Sequence, residues 1–149
     1  MAPKVSAWDS SLNLTSPDGL VTAVIDPASE FGQGSPTNGI LKLSNGMTFE
    51  SCNPSAVWSD DSKFLAVPQW RTTQRQRILV ISIERATFGY TADIFELLEL
   101  HSFSAGKIKG IDLPGYKPRE IEIDLREIRW NVAETATCWQ RLISFIGFA

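Results

Sequence analysis

The sequence predicts an all-β, mainly antiparallel fold: blade-like β-meander sheets in an open two- or three-sheet arrangement, with a C-terminal helix. Three observations predict it. Apolar and polar residues alternate in short runs, Gly, Asn, Asp and Ser cluster between the runs, and one turn-and-strand pattern occurs twice. At 149 residues the chain is expected to form a single domain, 1–149, large enough to fold without a disulfide or metal staple.

Leu20 to Ile25 is a β-rich run closed by Asp26-Pro27. The polar, Gly-rich stretch 30–39 reads as a long loop. Ile40 to Leu43 and Met47 to Glu50 flank Ser44-Asn45-Gly46, and Asn-Gly accepts the positive φ angles of a tight hairpin. Ala56-Val57-Trp58 and Phe64 to Val67 flank a second turn, Ser59-Asp60-Asp61-Ser62. Ile78 to Ile83 is almost continuously apolar, as in a strand covered on both faces. The segment 91–100 fits helical spacing at Ile94, Leu97 and Leu98. The turn Ser104-Ala105-Gly106 that follows it favours strand. Ile121, Ile123 and Leu125 alternate with Glu120, Glu122 and Asp124, giving a strand with one face in water. Val132, Ala136, Trp139 and Ile143 share one helical face, so a helix is expected over about 131–147. Asn131 and Glu134 would cap it.

The echo is the most informative feature. Ser16-Pro17-Asp18-Gly19-Leu20-Val21-Thr22-Ala23-Val24 aligns without gaps on Ser59-Asp60-Asp61-Ser62-Lys63-Phe64-Leu65-Ala66-Val67, 43 residues on. A period near 43 falls in the range of four-stranded blades, with repeats near 14–50 and 55–103. The stretch Val57 to Val67, followed by Ile78-Leu79-Val80-Ile81, resembles the blade motif of TolB-type and WD40-like β-propellers. The resemblance implies a blade-like meander and no chemistry. At this period 149 residues make fewer than the roughly four to eight blades that close a propeller, so an open stack is expected, with a homodimer as the alternative.

Charge and composition narrow the function. The net charge of −3 argues against nucleic acid, which is bound through a basic excess. The N-terminus lacks an apolar signal region, and the apolar C-terminal run is far short of a membrane span, so a cytoplasmic protein without a membrane partner is expected. In that compartment Cys52 and Cys138 are expected to be free, buried thiols.

Candidate chemistry is sparse. His101 is the one histidine, and no HExxH, CxxC or Gly-x-Ser-x-Gly motif accompanies it. Asp60 and Asp61 invite a metal or glycosidase reading, but Asp61 matches Asp18 as a turn former. Gly32-Gln33-Gly34 lacks the further residues of a phosphate loop. Neither a metal nor an organic cofactor is expected.

Binding is better supported than catalysis. Trp70-Arg71-Thr72-Thr73-Gln74-Arg75-Gln76-Arg77 is the one basic cluster and begins with an aromatic, and tryptophan and arginine are the usual interface anchors. With Phe31 and Gln33 of the first loop, the residues Trp70, Arg71, Gln74, Arg75 and Arg77 form the expected partner site. Trp70 also ends an apolar strand, so the opposing reading puts it in the core. A non-catalytic protein-binding module follows, for example a bacterial immunity protein that blocks a toxin with loops 30–39 and 68–77. The alternatives are a small hydrolase using Asp60, Asp61 or His101, and a subunit that assembles through its sheets.

Overall fold

The computed structural model describes residues 5–113 and 117–131. Its strands are β1 (Leu12–Thr15), β2 (Thr22–Ile25), β3 (Ser29–Glu30), β4 (Thr37–Leu43), β5 (Thr48–Cys52), β6 (Val57–Trp58) and β7 (Phe64–Thr72). These are followed by β8 (Arg75–Ser82), β9 (Thr87–Tyr90), β10 (Leu98–Ser104), β11 (Lys107–Asp112), β12 (Arg119–Asp124) and β13 (Arg129–Trp130). All pairings are antiparallel, and the one helical element among the described residues is a single 3-10 turn at Leu125–Glu127. The helix expected over 131–147 lies outside the described residues, apart from Asn131, whose amide donates to Phe88 O.

The strands form three layers. β1, β2, β4 and β5 make the first, β6 to β9 the second, and β10 to β12 the third. The first two belong to one hydrogen-bonded sheet, but β5 meets β7 only at Cys52 and Gln69, so the sheet folds over there. Alternation then gives the middle layer two buried faces. Leu65, Val67, Leu79 and Ile81 pack on Leu12, Leu14, Ile25 and Leu41 of the first layer. Ala66, Ile78 and Val80 pack on Leu98, Phe103, Ile108 and Ile123 of the third. This explains the continuous apolar run in β8: Ile78, Leu79, Val80 and Ile81 are all fully buried. The outward faces of the first and third layers carry polar residues such as Asn13, Lys42, Glu50, His101, Lys109 and Glu120.

The repeated turns are built alike. Ser16 Oγ donates to Asp18 Oδ1 at 2.6 Å, and Ser59 Oγ to Asp61 Oδ1 at 2.6 Å. Each aspartate also accepts an amide two residues on, from Leu20 and from Lys63, both at 3.0 Å. The fourth position needs a positive φ, which Gly19 adopts at 77° and Ser62 at 66°. Ser62 accepts that conformation while its Oγ takes the Asp18 amide at 2.9 Å, tying the two turns together. The serine hydroxyl and the amide, in that order, hold each carboxyl below its ordinary value. The stability these groups add is therefore present above pH ~4 and is lost as the pH falls through their lowered folded values. Asp18→Asn with Asp61→Asn should flatten the acid limb of stability between about pH 2 and 5, read by urea unfolding. An unchanged limb would show that the turns do not couple to folding.

Three sequence expectations need correction. The loop expected over 30–39 is shorter, because β3 and β4 pair through Ser29 with Asn38 and Glu30 with Thr37. The loop expected over 68–77 is mostly strand: β7 and β8 pair out to Trp70 with Gln76 and Thr72 with Arg75, leaving Thr73 and Gln74 to turn. The expected strand at 91–100 begins only at Leu98. Before it, Phe95 bridges Gln76 through two 2.7 Å backbone bonds. In the first two cases cross-strand backbone bonds outweigh local polarity.

Candidate functional site

The two segments expected to bind a partner meet. The Phe31 ring packs edge-on against Trp70, with centroids 5.2 Å apart. Trp70 itself is only 8% exposed, and its Nε1 donates to Thr37 O at 3.1 Å. The expectation of Trp70 as an exposed anchor is therefore corrected: the indole is a core group that holds the neighbouring turn. A satisfied N–H lets so large a ring be buried beside polar backbone.

What remains on the surface is a rim. Phe31 is 43% exposed, and Trp8 is 46% exposed with its Nε1 donating to Gly34 O at 3.1 Å. Gln33 is exposed in the same turn. The turn bonds internally, since the Gly34 amide donates to Glu30 Oε2 at 3.2 Å and the Gly32 amide to Ser35 Oγ at 3.2 Å. Those amides are thus already used and do not form an anion cradle.

Arg71, Gln74 and Arg75 are exposed on the β7–β8 hairpin. Arg77 is half-buried, with its Cζ 3.3 Å from the Tyr90 ring centroid and its Nε donating to Gln69 Oε1 at 3.0 Å. Burial holds the Arg77 guanidinium below its ordinary value. Tyr90 opposes that shift and the nearby Arg71 charge adds to it. Guanidinium basicity is high enough that the group stays charged. Among the described residues, no carboxylate forms an ion pair with Arg71, Arg75 or Arg77. Every ion pair found lies between Glu99 and Arg126.

The residues of the alternative chemistry are kept apart. Asp61 is committed to its turn, and Asp60 donates its amide to Phe103 O at 3.0 Å. Both line a small apolar cleft of about 110 Å³ with Phe64, Phe103 and Leu125. His101 instead pairs with Glu99 at 2.9 Å and lines a different cleft, with Lys109 and Glu120. Acid-base work at one bond would need these groups within hydrogen-bond reach of a common point. Among the described residues, no three His, Cys, Asp or Glu side chains converge as metal ligands. Cys52 is free and buried, and burial pushes its thiol up, away from the reactive thiolate. Cys138 lies outside the described residues.

Sequence reasoning passed over Trp8, Asn53 and Asp112. Asn53 is fully buried, and its Nδ2 donates to Ala7 O at 2.9 Å and to Thr37 O at 2.8 Å. Asp112 is 2% exposed and accepts the amides of Glu96 and Leu97 while pairing with Arg119. The Asn53-Pro54 dipeptide is a recognisable turn signal. Nothing local marks Asp112, because the amides it accepts lie 15 and 16 residues away. No helix among the described residues is long and apolar enough to cross a membrane. The chain matches no family model, and no similar curated protein or solved structure was found.

Proposed function

We propose that this chain is a non-catalytic protein-binding module that engages an acidic partner through the β7–β8 hairpin and the turn at Phe31. The observation that carries this reading is the cluster of Arg71, Arg75 and Arg77 on one hairpin, with no carboxylate ion pair among the described residues, in a chain of net charge −3. Arginine forks pair with carboxylates through two parallel bonds, and half-exposed aromatic groups beside them gain apolar burial. The stacked layers serve here as a scaffold, in keeping with the blade-like repeat. An immunity protein that covers a toxin's active site needs a rigid, charge-complementary surface of this kind and no chemistry of its own. Separation of Asp60 and Asp61 from His101 weighs against the hydrolase reading.

The test is charge reversal at Arg71 and Arg75, which are exposed and should leave the melting temperature nearly unchanged. Immobilised wild-type chain should retain a defined protein from native lysate. Arg71→Glu with Arg75→Glu should retain it about tenfold less or worse, and the control Lys42→Glu should retain it fully. Equal retention by wild type and the double variant would overturn the proposal, as would a wild type that retains nothing beyond the bare matrix.

A further inference from the structure

β12 is the last strand of the third layer, and its outer edge pairs with nothing among the described residues. The corresponding edge of the second layer, along β9, is covered by β13. Leu125 donates its amide to Gly106 O at 2.7 Å, so antiparallel alternation turns the backbone groups of Ile121 and Ile123 toward β11 and those of Glu120 and Glu122 outward. A row of unused donors and acceptors is a template for another strand.

We propose that this edge accepts an extended segment of another protein carrying lysine or arginine at alternate positions. Glu120 and Glu122 stand exposed on the solvent face. Glu120 makes no ion pair among the described residues, and Glu122 is shared by Lys107 at 3.4 Å and Lys109 at 3.8 Å. Basic side chains of an added strand would lie directly across from these carboxylates. Beside the edge runs an open cleft of about 400 Å³, where Ile94, Phe95, Ile121 and Ile123 are bordered by the charged Asp93, Arg119 and Glu122, with Ile94 46% exposed. Alternate apolar side chains of the incoming strand fill it, so main-chain bonds supply affinity and the two faces supply selectivity.

A second copy of this chain does not fit the edge. Two-fold antiparallel pairing keeps each face on its own side, so Glu120, Glu122 and Asp124 would meet one another. The charges thus disfavour self-pairing while leaving a slot for a strand of opposite charge. This site is separate from the arginine hairpin, and its outcome is independent of that reading.

The test uses a labelled, end-capped peptide of alternating lysine and valine, seven residues long, followed by fluorescence anisotropy. Three comparisons are made: an isomer N-methylated on alternate residues, an alternating glutamate-valine peptide, and variants of the chain. Wild type should bind the lysine-valine peptide at least tenfold tighter than either comparison peptide. Glu120→Pro removes an outward amide that no ladder bond uses and should weaken binding at least tenfold, while Glu120→Gln should weaken it less. Should Glu120→Pro fail to fold, Glu120→Lys with Glu122→Lys carries the test by shifting preference to the glutamate-valine peptide. Equal binding of the N-methylated isomer would reduce the effect to charge and overturn the proposal. Full binding by folded Glu120→Pro, or an unshifted preference in the lysine variant, would overturn it too. So would a wild-type dimer that Glu120→Pro renders monomeric.

Discussion

Trp70→Ala is expected to cost about 3–5 kcal/mol of folding stability, the range for truncating a buried tryptophan. The side chain is almost fully buried, its Nε1 satisfies Thr37 O, and it carries the Phe31 ring on its face. Truncation leaves a cavity under the turn at 31–35 and takes away its support. Denaturant unfolding measures the loss, and limited proteolysis reads out the turn, which should be cleaved faster in the variant. A cost below about 1 kcal/mol would place Trp70 at the surface and return it to the partner site. Trp70→Phe, which keeps most of the apolar contact and loses the N–H, should fall between the two.

Asn53→Leu is expected to cost about 3 kcal/mol or more, although leucine is apolar and similar in volume. Asn53 Oδ1 accepts the buried Ser55 amide at 2.9 Å, and Nδ2 donates to two carbonyls in separate segments. Leucine leaves the Ser55 amide without a partner, and each buried polar group so orphaned costs about 1–3 kcal/mol. The 5–9 segment should loosen as well, because Ala7 O accepts from both Asn53 Nδ2 and the Thr37 amide. Hydrogen exchange at the Thr37 amide should therefore quicken well before global unfolding. The two sites are coupled. Thr37 O accepts from Asn53 at 2.8 Å and from Trp70 at 3.1 Å, so the double variant should lose measurably less than the two single losses added. Strict additivity, or unchanged exchange in Asn53→Leu, would show that the shared carbonyl does not link these elements.

Most strands were legible because their signals are local. Asn45-Gly46 turns its hairpin with the Gly46 amide on Leu43 O at 2.9 Å, as the dipeptide demands. Ile121 and Ile123 face inward and Glu120 and Glu122 outward, as their alternation requires. The partner site was legible only in part. Polar composition made 30–39 and 68–77 look like loops, but backbone pairing does not depend on side-chain polarity, so β4 and β7–β8 run on through arginines and asparagine. Trp70 carried two opposed signals, an apolar strand before it and arginines after it. Its burial was decided by Phe31 and Thr37, which are 39 and 33 residues away in sequence.

By itself the sequence determined the fold class, the turn chemistry at Asp18 and Asp61, and the two-faced burial of β8. Each depends on residues within a few positions, where φ preference, side-chain to backbone bonds and alternation act directly. Tertiary structure alone decided how the sheet folds over at Cys52 and Gln69, and that Asn53 and Asp112 are buried junctions. It also decided that, among the described residues, Arg71, Arg75 and Arg77 lack carboxylate partners and the β12 edge stays open. Those outcomes depend on which distant segments come to lie side by side, because burial, charge pairing and edge coverage are properties of neighbours in space.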